Sequence, residues 1–508
     1  MVTESNMNAD EVKRSLFQES DINIFDIFAI LYSYCEPRFH TIRPKLAQNE
    51  IYRRVSLNVR ELQDSVLPRP RNSLAPIDMK ARRLISSSLY PNNNQDYFDL
   101  QCFTLLHAID KNYDNMSARS SNLSNFPTMP QHLNLNTEFA LVYTKKPSQI
   151  YQIIQKKISY CSRTRQKCGR LRTGRDVGHH LIAHVNNLAC LSLPTGYYID
   201  FNGLDSSTRL TFPEDLTECR IALVPLIDQS SCLETQFFDL DSENKRPFLC
   251  TGLAEADRVA AQALHLLRQL SEKRVTIAIF PELCVPQMVR SAICDGLQKN
   301  LFSNVKMVVA GSLHEELDGK WHNSAYVLGP DGQVLWRQQK FQPYTIMRYQ
   351  AKRLSSFAEF ADHDIYENIT TAPRVLVVRD TPLGRMAILL CSDLLSTDPH
   401  RKMLFDLGVN CIVVPAMSAV LTPDFTIAAE QFAIHSQATI LLSNACTVVR
   451  ENASCKDTAE TKVSFAFLPA HPSIWWCHCQ IPPGECPSRK CSENFILQLG
   501  SWPSSDFE

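Results

Sequence analysis

Short, bounded runs of apolar residues recur through the last three fifths of the chain, at 220–226, 275–280, 306–310, 374–378, 385–390, 410–415 and 439–444. Runs of this length predict buried strands. Between them, residues 254–270 place Val259, Ala263, Leu266, Leu267 and Leu270 at helical spacing, and 399–407 and 424–437 also read as helices. Pro330, Asp331 and Gly332 mark a tight turn between two apolar strands, the signature of a hairpin. Strands alternating with helices predict an α/β fold over residues 216–508.

The first 215 residues pattern differently. Helices are expected over 21–35, 78–90, 96–109, 148–161 and 179–191, interrupted by the Ser-, Asn- and Pro-rich stretch 117–136, which reads as a long loop or linker. The expectation is a mostly helical accessory domain, 1–215, ahead of the α/β domain, since 508 residues exceed one typical core.

Charge sharpens that division. Residues 1–215 carry 26 basic against 21 acidic residues, and the remainder carries 26 against 32. Eight basic residues and no acid fall from Lys156 to Arg175. Such a run could bind phosphates or nucleic acid, but the sequence pI is about 6.9 and no nucleic-acid motif accompanies it, so a solvated loop is favoured. His180 and His184 have the spacing of a metal pair without a third ligand, and read as ordinary helix residues. Eighteen cysteines scattered through apolar runs fit reduced thiols. No basic-then-apolar leader opens the chain and no apolar run approaches 18 residues, so a cytoplasmic protein without membrane contact is expected.

Three of the apolar segments lead directly to a reactive residue: Glu282, Lys340 and Cys391, at spacings of 58 and 51. A thiol attacks as thiolate, and a nearby base or positive charge can bring its pKa down from roughly 8.5. A glutamate screened from water can take that proton and return it to a departing amine. A lysine ammonium, with the Ser392 amide N–H, could hold a tetrahedral oxyanion, where one donor contributes about 3 kcal/mol. Taken singly, each residue has an ordinary reading: a buried small hydrophobe, a surface lysine, a helix-start glutamate.

Together with VVAGSLHEE, HNSAYVLGPDGQVLWRQQK and CSD, the trio resembles the nitrilase superfamily of carbon-nitrogen hydrolases over about residues 219–500. The resemblance implies a four-layer αββα sandwich, a Glu-Lys-Cys catalytic set of Glu282, Lys340 and Cys391, and no cofactor and no metal. It implies a homo-oligomer paired through the helices 399–407 and 424–437. It also implies a second glutamate between the lysine and the cysteine. Glu359, 19 residues after Lys340, fits the usual spacing better than Glu367, which adjoins a loop-like Asn-Ile-Thr-Thr stretch. Asp393 reads as structural, bonding backbone around the turn. Members often place Arg and Phe after the Cys-x-Asp motif, whereas here Leu394, Leu395, Ser396 and Thr397 follow.

The function expected is thiol-dependent hydrolysis of a carbon-nitrogen bond in a small amide, ureido compound or nitrile, through a covalent acyl enzyme on Cys391. The alternative is a catalytically silent sensor or assembly domain, conceivably nucleic-acid-associated in a defence setting. Near the end, Cys477, Cys479, Cys486 and Cys491 fall within 15 residues. Their spacing is not that of standard structural zinc, and a hairpin with surface thiols is favoured.

Overall fold

The protein's structure, a computed structural model, describes with short gaps residues 8–46, 95–112, 216–446, 461–479 and 496–499, together with 143–144, 152–155, 188–191, 197–200 and isolated positions between. The first part holds helices α1 (Ala9–Gln18), α2 (Ile24–Cys35), α3 (Phe39–Leu46) and α4 (Gln95–Asn112) and strands β1 (Tyr143–Thr144), β2 (Gln152–Gln155) and β3 (Leu188–Leu191). Next come β4 (Tyr197–Asp200), β5 (Arg220–Leu223), β6 (Leu233–Phe237), β7 (Arg246–Leu253), α5 (Ala256–Glu272), β8 (Ile277–Ile279) and α6 (Gln287–Gln298). The chain continues through β9 (Met307–Leu317), β10 (Lys320–Leu328), β11 (Val334–Gln339), β12 (Thr345–Ile346), α7 (Arg348–Ala351) and β13 (Ile365–Glu367). The last elements are β14 (Arg374–Thr381), β15 (Gly384–Ile388), α8 (His400–Asp406), β16 (Cys411–Ala416), α9 (Asp424–Ser436), β17 (Thr439–Asn444), β18 (Thr461–Leu468), β19 (His471–Cys479) and β20 (Ile496–Gln498).

Two compact units result. The first comprises Met1–Leu193 with Asp398–Val409 and Ile434–Gln437. Helix α2 is buried almost all round and opens on a capping box: Asn23 accepts from the Asp26 N–H at 3.0 Å, and Asp26 accepts from the Asn23 N–H at 3.0 Å. It packs on α4, where the Tyr34 hydroxyl donates to Asp99 at 2.7 Å. Strands β1, β2 and β3 form an antiparallel sheet, which corrects the helices expected over 148–161 and 179–191. Short apolar groups such as Gln152-Ile-Ile-Gln fit either period, and cross-strand pairing decides between them. The described part of this unit is still mostly helical, with one small three-stranded sheet. In α8, Lys402 pairs with Glu36 at 2.9 Å and with Asp406 at 3.0 Å, while Met403, Leu404 and Phe405 are buried. The basic segment from Lys156 to Arg175, the stretch 117–136, His180, His184 and most of 78–90 lie outside the described residues.

The second unit comprises Pro194–Thr397, Asn410–Ala433 and Ala438–Glu508. Its six-stranded sheet has the order β11-β10-β9-β8-β5-β20, its seven-stranded sheet β19-β18-β17-β16-β15-β14-β4, and a smaller sheet β12-β13-β7-β6. The apolar runs are continuous because both faces of their strands are buried. Ile221, Leu223, Ile277, Ile279, Met307 and Val309 face a core shared with Met386, Ile388, Val413 and Leu441 of the seven-stranded sheet. The intervening Ala222, Ala278, Val308 and Ala310 face a second core with Val259, Ala263, Leu266 and Leu267 of α5 and Val289 and Ile293 of α6. Each fully buried Val or Leu contributes roughly 1.5–3 kcal/mol to that packing. Ile412, Val414, Ile440 and Leu442, on the other face of the seven-stranded sheet, are buried as well. The fold is α/β, as the pattern predicts, and a sandwich, as the resemblance implies. It begins earlier than residue 216, however: β4 pairs in parallel with β14, and Arg379 grips the Asp200 carboxylate at 2.9 and 3.2 Å. Among the described residues no helix is long and apolar enough to cross a membrane.

Candidate active site

Each reactive residue leaves the end of a strand, and the strands belong to different sheets. Glu282 follows β8 and Lys340 follows β11 in the six-stranded sheet; Cys391 follows β15 in the seven-stranded sheet and opens a 3-10 turn, Cys391–Leu395. Polar groups fix the sheets to each other at this end. The Glu282 N–H donates to the Ala416 carbonyl at 3.3 Å. The buried Gln338 side chain donates to the Val375 carbonyl at 3.0 Å and accepts the Val377 N–H at 2.8 Å, standing in for a strand neighbour. Asp393 accepts the Phe341 N–H at 3.1 Å and the Leu390 N–H at 3.3 Å, so the turn at Cys391 is tied to the residue after Lys340. That is the backbone role expected of it.

The backbone is constrained where it presents these side chains. Cys391 has φ +48° and Leu283, next to Glu282, has φ +54°, both in the left-handed region that branched residues rarely occupy. Gly311, at φ +64°, allows β9 to pass the Pro281 carbonyl; a Cβ there would lie 2.0 Å from that oxygen.

The structure brings Glu282, Lys340 and Cys391 together and adds Glu367 to them. Lys340 Nζ donates to Glu282 Oε1 at 2.8 Å and to Glu367 Oε2 at 2.7 Å. The Cys391 thiol hydrogen-bonds the Glu282 carboxylate, and the Met417 N–H, just past β16, donates to the sulfur. None of the four side chains' residues is more than 3 % exposed, so water screens none of these charges. Glu359, the favoured second glutamate in the sequence, is exposed on a 3-10 turn, Ala358–Phe360, whose Phe360 stacks on Phe237. Glu367 takes the place beside Lys340 because β13 pairs with β7 and aims its last residue inward.

Burial and charge set the protonation states. Burial alone would lower Lys340, but Glu282 and Glu367 more than reverse it, and the ammonium is held well above its ordinary range. Burial pushes Glu367 up, yet Lys340 and the His314 hydrogen bond carry it well below the usual carboxylate range. Glu282 is raised, first by burial and further by the charge of Glu367, with Lys340 opposing. Cys391 is also raised, by burial and then by the Glu282 charge, against Lys340 and the Met417 N–H. Cys391 is therefore held as a thiol beside the Glu282 carboxylate. The lowered thiol pKa expected from sequence is absent because desolvation outweighs the ammonium. Burial likewise lifts Asp393 to about 8.

Residues that sequence reasoning missed complete the site: His314, Asn323, Met417 and the Tyr344 N–H, which donates to Glu367 at 2.7 Å. No metal cluster of three or more His, Cys, Asp or Glu occurs among the described residues. Cys477 is buried in the core between the sheets rather than at the surface, and Cys486, Cys491 and the Cys479 side chain lie outside the described residues.

No protein-family model and no curated protein matches the chain. Solved structures similar to it are nitrilase-superfamily amidases. One is an amidase from Nesterenkonia sp., 16 % identical over 53 % of this chain and 88 % of its own, with a TM-score of 0.34. A mutant of the Nesterenkonia AN1 amidase, described as from the nitrilase superfamily, gives 16 % and a TM-score of 0.35 over 53 % of this chain and 88 % of its own. Another mutant of that amidase, carrying the acetamide moiety of fluoroacetamide on its active-site cysteine, gives 15 % and 0.35 over 56 % and 95 %. Likeness of this size does not say which residues react here; the distances around Lys340 bear on that directly.

Proposed function

We propose that the protein hydrolyses a carbon-nitrogen bond of a small amide, ureido compound or nitrile through a covalent intermediate on Cys391. One observation carries this reading: a buried lysine shared at 2.8 and 2.7 Å by two glutamates, the first of which hydrogen-bonds a buried thiol. Separately raised and lowered carboxylates divide the labour. Glu282, raised, takes the Cys391 proton as sulfur attacks the carbonyl carbon, and the carbonyl electrons move to oxygen. Lys340, kept charged by both glutamates, and the N–H groups of Met417 and Ser392 face the charge that develops on sulfur and oxygen. Glu282 returns the proton to the departing nitrogen, which leaves as ammonia or amine with its bonding pair. Water, deprotonated by Glu282, then attacks the thioester, and the acid leaves as Cys391 recovers its proton. Glu367 positions Lys340 throughout.

Ammonia release from a panel of aliphatic amides, ureido acids and nitriles, with intact-mass detection of an acyl adduct, tests the reading. Turnover of at least one compound is expected, together with its loss, and loss of the adduct, in Cys391→Ala. A folded Cys391→Ala protein with wild-type turnover overturns it.

A further inference from the structure

His314 is buried on β9 and its ring is held from both sides. The Cys250 N–H, from β7, donates to Nδ1 at 2.8 Å. Nδ1 therefore carries a lone pair and the ring hydrogen sits on Nε2, which lies 3.0 Å from Glu367 Oε1. Asn323 stands opposite His314 in the β9–β10 register and donates to the same Glu367 oxygen at 3.0 Å and to Glu282 Oε1 at 3.0 Å. Reversing that amide would set its oxygen against two carboxylates, so chemistry fixes its orientation. Glu367 thus receives two donors on each oxygen: His314 and Asn323 on Oε1, Lys340 and the Tyr344 N–H on Oε2. Glu282 receives Lys340 and Asn323, both on Oε1, and has the Cys391 thiol as a further partner.

We propose that His314 is a positioning residue for the Cys391 site: clamped by the Cys250 N–H, it directs its Nε2 hydrogen into Glu367 and leaves Glu282 as the carboxylate that exchanges a proton with the thiol. The inference rests on the reading of Cys391 as nucleophile. Lys340 has one charge to divide between two carboxylates. When Glu367 is satisfied by His314, Asn323 and Tyr344, less of that charge is drawn from Glu282. Removing the His314 donor makes Glu367 lean harder on Lys340, and proton transfer from Cys391 to Glu282 then requires a higher pH. Glu282, Lys340 and Tyr344 are the titratable groups facing Cys391 at close range, with Asp393 acting on Lys340 from behind. The imidazole itself forms and breaks no bond and keeps its hydrogen throughout, unlike a general base.

The test needs no identified substrate. Alkylation of Cys391 by iodoacetamide, read by peptide mass spectrometry across pH, is compared in the wild type, His314→Phe and His314→Gln, with half-buried Cys294 as internal control. In His314→Phe the midpoint should rise by about one pH unit, which is about tenfold slower labelling below it. His314→Gln, which can still offer an N–H to Glu367, should recover most of the loss. A folded His314→Phe protein with the wild-type midpoint overturns the proposal. If that variant does not fold, nitrogen-15 spectra of the wild-type histidines decide: the resonance lost in His314→Gln should report hydrogen on Nε2, and hydrogen on Nδ1 overturns the proposal. Wild-type Cys391 labelling no faster than Cys294 would instead overturn the proposed function, so the two failures are told apart.

Discussion

Lys340 touches two carboxylates that differ in every respect that matters for chemistry. Glu367 has four donors and is held as an anion; Glu282 has fewer and is raised towards protonation. Replacing Glu367 by Gln should lower kcat/KM by two to three orders of magnitude, about 3–4 kcal/mol of transition-state stabilisation. Glu359→Gln, on an exposed turn, should change neither activity nor stability by more than about 0.5 kcal/mol. Steady-state kinetics of the pair separates the two glutamates directly. Because Glu282 must be ionised to accept the thiol proton and its pKa is raised, kcat/KM should fall with decreasing pH through a value above the ordinary 4.5. A limb at or below 4.5 would count against Glu282 as the base. Glu367 gives the opposite signature in stability. Its folded pKa is depressed, so its ionisation stabilises the fold above 4.5 and that contribution is lost as pH falls. Urea denaturation should show the stability gap between wild type and Glu367→Gln closing below pH 4.5. In the sequence Glu282 and Cys391 were legible because each follows an apolar run, and Lys340 because it follows the second strand of a hairpin marked by Pro330, Asp331 and Gly332. Glu367 was not, because it closes a three-residue strand beside a polar stretch and only the small sheet turns it inward.

At the scale of elements, the β9–β10 hairpin carried more information than the motifs did. Asp318 and Gly319 both have positive φ, the geometry of a two-residue primed turn, and counting back from it sets Leu317 opposite Lys320 and His314 opposite Asn323. The pairing that feeds Glu367 was therefore available from an Asp-Gly dipeptide. Strands β2 and β3 were not available in the same way: apolar groups of two to four residues fit helix and strand alike. The close approach of β9 to Pro281 gives a test at this scale. Gly311→Ala meets both a clash at the Pro281 carbonyl and a left-handed φ, so it should cost on the order of 3 kcal/mol and displace Glu282. The expected outcome in chemical denaturation is a lower midpoint, with activity falling further than the folded fraction does. Activity tracking the folded fraction alone would show that Glu282 has not moved.

Across the whole molecule, the two large sheets hold complementary parts of the candidate site, with Glu282 and Lys340 following strands of one and Cys391 a strand of the other. The pattern of apolar runs predicted the α/β class because strands alternate with helices, while the sandwich was implied by the resemblance. The pattern did not predict that the sandwich reaches back to β4, since that strand joins through its parallel pairing with β14 and through the ion pair of Arg379 with Asp200, residues 179 positions apart. Strand β20 shows the same feature at greater range. It borders β5, pairing Leu497 with Ile221, and Arg220 donates to Gln498 across 278 positions. Leu497→Ala should therefore destabilise the inter-sheet core by about 2–5 kcal/mol, readable as a lower urea midpoint, although it is far in sequence from every residue of the site. That long return also has a consequence in time. While the chain is being synthesised, β5 emerges early and its outer edge stays unpaired until residues 496–498 follow, at about 5–20 residues per second. For that interval the nascent protein presents an open, apolar strand edge, so its yield in cells should depend on how quickly the ribosome finishes and on what shields the edge meanwhile.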